Sequence, residues 1–419
     1  LQPMHKVIYT LSIQGLRALF FLASFFSAKA KLFVNGRKNI FQKIRETFKN
    51  DGSPVVWVHC ASLGEFEQGR PIIESLKERF PSVKIVLTFF SPSGYEVRKN
   101  YDRADYIYYL PWDTPGQARA FVEITQPAIA IFVKYEFWYF YTYYLKKQGT
   151  KIISASCILR PEQTFFKSYG GSFRKILKNF DYFFTQNLET KMLLQSIGIS
   201  NSTIVGDTRF DRVMEIIQSG EEIPVAQKFK DGEKLMVIGS AWPEDIDTLA
   251  PFINENAQAL KFIIAPHEIT ESFLHHIEES LQVKSIRYSQ VSSSVEDFPV
   301  LIIDNIGMLS KLYRYGEFAF VGGAFGKGLH NILEAACYGI PIFFGNKNYT
   351  KYQEATDLIM RGGAFEVSGY SELKEKYELL IVRPENFLLA CEVTRSYVEE
   401  NLGATKKIVD YCLKILQSK

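Results

Sequence analysis

The sequence predicts a doubly wound α/β protein built from two Rossmann-like domains facing a cleft, with an apolar helix ahead of them. Three observations carry this. Short apolar runs alternate with helix-length amphipathic segments, which implies parallel strands covered on both faces. The alternation breaks at a charged, weakly apolar stretch, Glu215–Glu233, and restarts beyond it. At 419 residues the chain exceeds what one hydrophobic core organises, so two domains are the default.

The elements follow in order. Val7–Phe26 is rich in Leu, Ile and Phe but carries Gln14, Gly15 and Arg17. Residues 35–53 are polar and link it to the body. In the first half the spacing predicts strands at Val55–Val58, Lys84–Phe89, Tyr106–Leu110, Ala128–Val133, Lys151–Ala155, Tyr182–Thr185 and Thr203–Val205. Helices fall between them, at Glu65–Phe80, from Ser91, at Gly116–Thr125, Phe137–Lys147, Phe165–Phe180 and Glu189–Ile197. In the second half strands are expected at Leu235–Gly239, Lys261–Ala265, Val300–Ile303, Phe318–Val321 and Ile342–Phe344. Helices are expected near Asp245–Asn256, at Glu271–Ser280, Met308–Tyr315 and Leu329–Tyr338, with a last helix at about Glu392–Gln417 packing back on the first half. The domain expectation is an anchor over 1–34, Rossmann-like domains over 50–220 and 230–390, and a C-terminal helix over 391–419.

Composition narrows the function. A net charge of +3 gives no whole-protein field for nucleic acid. Five scattered cysteines, with no CxxC pair, read as reduced thiols facing the cytoplasm. From Lys6 to Arg45 there are eight Lys/Arg and no Asp or Glu. An apolar segment with basic flanks fits a membrane anchor at the cytoplasmic face, either spanning or lying in the interface. Arg17 suits the interface better, because its side chain can snorkel to water. A soluble amphipathic helix is the plainer alternative.

The chemistry-bearing residues sit at strand ends, where ligands of open α/β sheets bind. In Gly322–Gly345 (GGAFGKGLHNILEAACYGIPIFFG) a glycine-rich turn opens a helix carrying Glu334. Glycines allow close approach to an anion, and a helix start attracts it. Glu334, one turn past His330 and Asn331, suits ribose hydroxyls; the plainer reading is an ordinary βαβ turn. In His59-Cys60-Ala61-Ser62-Leu63-Gly64-Glu65, Glu65 is placed to be a general base or merely to favour a helix start. Glu136 and Trp138 of KYEFW suit sugar orientation or core packing. Arg209 of GDTRFD pairs with a phosphate or carboxylate, or bridges Asp207 and Asp211. Gly239-Ser240-Ala241-Trp242 suits phosphate oxygens, and Pro266-His267-Glu268 ends the next strand. No standard P-loop is present, and the histidines lack paired metal-ligand spacing. Asp245-Ile246-Asp247 has the look of a metal–diphosphate motif, but no metal is expected.

These segments resemble the Kdo transferases of lipopolysaccharide synthesis, GT-B glycosyltransferases of the inner membrane. The resemblance runs from the N-terminal segment to about residue 365. It rests on HCASLGE (59–65), TFFSPSGY (88–95), YLPWD (109–113), YEFW (135–138), GDTRFD (206–211), GSAW (239–242) and the glycine segment 322–345, in order and spacing. It implies inverting transfer of 3-deoxy-D-manno-octulosonic acid (Kdo) from CMP-Kdo to a lipid A precursor (lipid IVA), with no metal or cofactor. The partners implied are CMP-Kdo, the lipid acceptor and a membrane surface with anionic lipid. By the resemblance the general base falls on Glu65, the second glutamate on Glu136 and the basic residue on Arg209. Ser91 and Ser93 are acceptor-side candidates. Donor contacts fall on Gly239, Ser240, His330, Asn331 and Glu334, with His267, Gly307, Gly323 and Lys327 as further candidates. The chain departs from the family pattern in three places. Ala265-Pro266-His267 lacks an arginine, a charge that Lys327 is placed to replace. Ile306-Gly307-Met308 replaces Met-Gly-Glu, and CILRPEQ (157–163) replaces ARLSER. The rival functions are transfer from another nucleotide sugar, sugar-nucleotide epimerisation, and nucleotide-sugar binding without catalysis.

Overall fold

Strands β1 (Val55–Cys60), β2 (Lys84–Phe89), β3 (Tyr106–Tyr109), β4 (Ile129–Val133), β5 (Lys151–Cys157), β6 (Tyr182–Thr185) and β7 (Ser202–Ile204) form one parallel sheet, in the order β3-β2-β1-β4-β5-β6-β7. The structure is a computed structural model and describes residues 3–292 and 294–418. Both faces of the sheet are buried, which is why β1 reads as a continuous apolar run. Val55 and Trp57 point into one core with Phe121, Phe132 and Tyr141. Val56, Val58 and Cys60 point into the other with Ile72, Ile73 and Leu76.

The chain divides into two compact units. One runs through Arg212 and takes back Leu402 onward; the other covers Val213–Asn401. The second unit has its own parallel sheet of β8 (Leu235–Ala241), β9 (Lys261–Pro266), β10 (Ser285–Arg287), β11 (Val300–Ile302), β12 (Phe318–Val321), β13 (Ile342–Gly345) and β14 (Ala364–Val367). Its order is β10-β11-β9-β8-β12-β13-β14. The winding switches direction at the first strand of each sheet, between β1 and β4 and between β8 and β12, and in the second sheet β11 also inserts between β9 and β10. Crevices at the carboxyl ends of such strands are where open α/β sheets bind ligands.

Helices α1 (Pro3–Ala23), α2 (Ala28–Asn35) and α3 (Ile40–Thr47) precede β1. Tyr9, Ile13, Leu16 and Phe20 recur at helical spacing on α1 and pack against Phe33 and Trp112. The opposite face is apolar and exposed, with Leu11 at 64% and Leu22 at 58%. Helix α4 (Leu63–Arg79) leaves β1 and is covered by the last helix, Ala404–Gln417, through Ile408, Val409 and Cys412.

Several expected elements differ. Residues 35–53 are not a bare linker, since α3 lies within them. The stretch 165–180 holds two 3₁₀ turns and only a short helix, Gly171–Leu177. Glu215–Glu233 is largely helical, in Thr208–Gln218 and Pro224–Lys230. The expected C-terminal helix is two, Pro384–Glu400 and Ala404–Gln417, broken where Gly403 takes φ +98. The largest correction is at 329–338, where the α-helix covers only Leu333–Ala336, four residues. His330 and Asn331 therefore precede it in non-helical backbone, and a helix this short offers little dipole to an anion.

Candidate functional site

Glu65 lies in the first turn of α4 and is 8% exposed. The Ser62 hydroxyl donates to its Oε2, and the Lys134 ammonium lies 3.7 Å from its Oε1. Ser62 makes no side-chain cap to the helix backbone, so its hydroxyl is spent on the carboxylate. Lys134 and Glu136 follow β4, the strand paired with β1 at the reversal. Glu136 Oε2 accepts from Trp138 Nε1 at 2.9 Å and lies 3.4 Å from His59 Nε2. His59 is fully buried. Its Nδ1 lies 2.9 Å from Thr88 Oγ1, which also accepts from Trp57 Nε1 at 2.8 Å. The Glu136 carboxylate can only accept, so Nε2–H of the neutral ring is directed to it, and Nδ1 then accepts the Thr88 proton. The chain Trp57–Thr88–His59 thereby orients Glu136 from inside the core.

Asp207 is buried and accepts from Gln68 Nε2 at 2.7 Å and from Arg209 through Nε and Nη2, both at 3.0 Å. Burial raises its carboxyl, but the Arg209 charge and hydrogen bonds, with help from Lys134, hold it below the usual range. Arg209 thus pairs with Asp207 and does not bridge to Asp211. Asp211 instead accepts from the backbone N–H groups of Gly403 and Thr405, capping the last helix. Ser91 and Ser93 pair with each other at 3.0 Å, and Ser91 caps the helix Pro92–Arg98. The Ser91 N–H donates to Ala61 O at 2.7 Å, which sets this cap beside the loop before Glu65. Cys60 is buried, and burial pushes its thiol well up, so it is inert as a nucleophile.

In the second unit the two strand ends at the reversal are joined by one carboxylate. Asp245 Oδ2 accepts from Trp242 N and Gly323 N, both at 2.8 Å, tying the GSAW turn after β8 to the glycine turn after β12. Burial pushes Asp245 up to about 6. It is a structural clamp, and among the described residues no group of three His, Cys, Asp or Glu is placed to hold a metal ion. Ser240 sits in the left-handed region at φ +53, where β8 shifts register against β9. A Cβ on Gly323, at φ +94, would fall within 2.9 Å of His330 Cδ2. Gly239 faces Tyr313 and Leu309, so its missing side chain serves packing. Gly307, at φ +96, turns an open loop.

Trp242 stacks on His267 with ring centroids 4.5 Å apart, and His267 lies 4.3 Å from His330. Trp242 Nε1 donates to His330 Nε2 at 2.9 Å, which leaves the His330 proton on Nδ1. Burial, and then His267, lower His330 to about 4; burial also lowers His267. The pair therefore offers neutral hydrogen-bonding groups at neutral pH. Positive charge comes from Lys327, 5.7 Å over the Trp242 ring, and from Lys351, whose ammonium stands over Gly328. Asn331 Nδ2 donates to Glu334 Oε1 at 3.1 Å.

The structure thus brings Glu65 together with Lys134, Glu136 with His59, and His267 with His330, Trp242 and Lys327. Sequence reasoning missed Lys134 and Lys351. Lys134 had a signal, its place directly after a buried strand beside Glu136; Lys351 had none, because nothing local marks its reach over Gly328.

Residues 37–212 match the family model described as 3-deoxy-D-manno-octulosonic-acid transferase (kdotransferase). The 3-deoxy-D-manno-octulosonic acid transferase of Aquifex aeolicus is 30% identical over 359 residues, covering 83% of this chain and 91% of that protein. The enzyme of the same name from Bordetella pertussis is 24% identical, covering 97% of this chain and 98% of its own. Among solved structures, UDP-GlcNAc 2-epimerase from Neisseria meningitidis superposes with a TM-score of 0.61 at 17% identity, covering 86% of this chain and all of that one. MurG from Acinetobacter baumannii gives 0.54 at 10% identity, covering 86% and 99%. These structural likenesses show the fold, a GT-B-like α/β architecture with two sheet-containing domains.

Proposed function

The chain belongs to the 3-deoxy-D-manno-octulosonic-acid transferase family of glycosyltransferases, and from that premise we propose that it transfers Kdo from CMP-Kdo to a lipid A precursor, with inversion and without a catalytic metal. The observation that carries the reading is Glu65, a buried carboxylate held at both oxygens where the first sheet reverses. Glu65 takes the proton from a glucosamine hydroxyl of the acceptor. That oxygen forms a bond to the anomeric carbon as the bond from that carbon to the CMP phosphate breaks, and CMP leaves with the electron pair. Attack opposite the leaving group inverts the anomeric centre. Glu136, oriented by His59 and Trp138, is the acceptor-side partner, together with Arg209, Ser91 and Ser93.

In the second unit, Ser240 and the N–H groups around Gly323 meet the CMP phosphate, with Lys327 and Lys351 neutralising its charge in the role a metal would otherwise fill. His267 and His330 supply neutral hydrogen bonds, and Glu334, oriented by Asn331, accepts from the ribose. Gly307 keeps its loop open on the donor side.

The site of action in this reading is the cytoplasmic face of the inner membrane. The packed residues Tyr9, Ile13, Leu16 and Phe20 hold the middle of α1 against the body, which supports a helix lying in the interface over one that leaves the body to span. Beside it is a groove of about 770 Å³ lined by Arg17 and Lys38 among apolar and amide side chains, with no Asp or Glu in its lining; Arg37 also borders it, but its guanidinium is buried against the carbonyls of Phe33, Phe90 and Leu110. The charge of Arg17 and Lys38 suits anionic lipid.

The test is direct. Protein, CMP-Kdo and tetraacylated lipid A precursor are incubated, and the lipid is examined by mass spectrometry for added Kdo. Transfer by the wild type, reduced about 10²- to 10⁴-fold in Glu65→Gln, is expected. No transfer by the wild type overturns the reaction, and full transfer by Glu65→Gln overturns the base.

A further inference from the structure

We propose that Lys134 is a positioning residue for the Glu65 carboxylate. The inference deepens the transferase reading and rests on it. Lys134 immediately follows β4 and takes φ +65, the left-handed region that residues other than glycine, asparagine and aspartate avoid. The turn is fixed on both sides of the residue. Its N–H donates to Ala155 O at 2.8 Å, and its carbonyl accepts from Ser154 Oγ at 3.1 Å. Strained backbone of this kind persists where surrounding structure over-determines it, and it collects at functional sites.

The turn sends the side chain across to the neighbouring strand end, where Nζ lies 3.7 Å from Glu65 Oε1. Ser62 holds Oε2 from the other side. The carboxylate is thus fixed by two groups from two loops, one after β1 and one after β4. The Lys134 and Glu65 side chains are 25% and 11% exposed, so water screens the pair less than it would a surface ion pair. The second carboxylate nearby, Asp207, already accepts from Gln68 and from Arg209, and its contact with Lys134 is electrostatic only. The ion pair that Lys134 makes is therefore with Glu65, and its effect is to hold the rotamer from which the carboxylate faces an acceptor hydroxyl. A base misplaced by about 1 Å loses on the order of 100-fold in rate.

Two substitutions separate this role from a structural one. Lys134→Asn removes the ammonium but tolerates the left-handed backbone, and Lys134→Arg keeps a cation. With CMP-Kdo and the lipid acceptor, Lys134→Asn is expected to leave the Tm unchanged and KM within about threefold of the wild type, while kcat falls about 10- to 100-fold. Lys134→Arg is expected to recover most of kcat. In the Glu65→Gln background, Lys134→Asn is expected to cost nothing further, because the residue acts through Glu65. An unchanged kcat in Lys134→Asn overturns the proposal. So does a loss carried wholly by KM, a loss that Lys134→Arg does not recover, or one that adds in full to that of Glu65→Gln. A wild type inert towards CMP-Kdo overturns the transferase reading and this proposal with it, whereas an active wild type with an indifferent Lys134 overturns the proposal alone.

Discussion

His330 shows how burial, more than residue type, sets what a side chain offers a ligand. Its ring is stacked in the Trp242–His267 group, accepts at Nε2, and titrates at about 4, chiefly because burial disfavours the cation. A folded-state pKa below the ordinary histidine value contributes stability that is complete above pH 6.5. That stability is lost as the pH falls towards 4, because the unfolded chain takes up a proton that the native ring refuses. The loss is about 2 kcal/mol after allowing for screening at a partly exposed ring. Urea denaturation at pH 7 and pH 4.5 checks this, with wild type expected to lose more stability on acidification than His330→Gln. The comparison between variants cancels the opposite trend of Asp245, whose burial pushes its carboxyl up to about 6. At this scale the sequence picked out candidate residues but not what surrounds them. Glu65 was legible from HCASLGE, whereas its partner Lys134 comes from another strand end 69 positions away. Asp211 was grouped with Arg209 by adjacency, yet its contacts are with Gly403 and Thr405, which no local pattern links to it.

In the proposed reading, donor binding rests on the glycine turn after β12. Gly323 at φ +94 lets its N–H reach Asp245 while its carbonyl accepts from Gly326 and Gly328, folding the loop back on itself. A methyl group there meets the Gly328 carbonyl and His330, and the backbone angle disfavours any L side chain. Gly323→Ala is therefore expected to weaken CMP binding at least tenfold and to lower stability by about 1–3 kcal/mol. Isothermal titration with CMP and a thermal melt measure the two, and CMP binding at the wild-type level would remove this loop from the donor site. The strands of both sheets were readable because burial on two faces turns each into an unbroken apolar run. The edge strands β10 and β14 escaped because they are short and only partly apolar, as in Ser285–Arg287 and Ala364–Val367. The 329–338 segment has helical spacing, yet the glycine turn holds Gly326 and Gly328 on the Gly323 carbonyl, the chain stays irregular through Asn331, and only Leu333–Ala336 remains for the helix.

At the scale of the whole molecule, the proposed reading asks the N-terminal helices to bring a protein with a net charge of only +3 to a lipid surface. Length and mean hydropathy, 1.2 over Lys6–Ala23, do not distinguish an interfacial helix from a core helix. Burial does, since 6% of that window is buried, as against the nearly complete burial of a core helix. The inward face of α1 is anchored by Tyr9 Oη donating to Asp113 at 2.6 Å and by Phe20 stacked on Phe33 at 3.9 Å. The outward face presents Val7, Leu11 and Leu22 to solvent, Phe25 is exposed in the turn just beyond the helix, and Arg17 and Lys38 line the adjoining groove. Apolar insertion gives an attraction that salt leaves alone, whereas the basic flank gives one that salt screens over a Debye length of about 8 Å at physiological ionic strength. Binding to vesicles is accordingly expected to need both terms. Co-sedimentation with phosphatidylglycerol-containing vesicles should fall several-fold between 50 mM and 500 mM salt, and persist weakly on purely zwitterionic lipid. Leu11→Asp with Leu22→Asp, both outward-facing, should abolish binding to either vesicle while leaving the Tm unchanged, because neither side chain belongs to the packed face. Binding indifferent to both salt and these aspartates would show that α1 is not the surface that meets lipid.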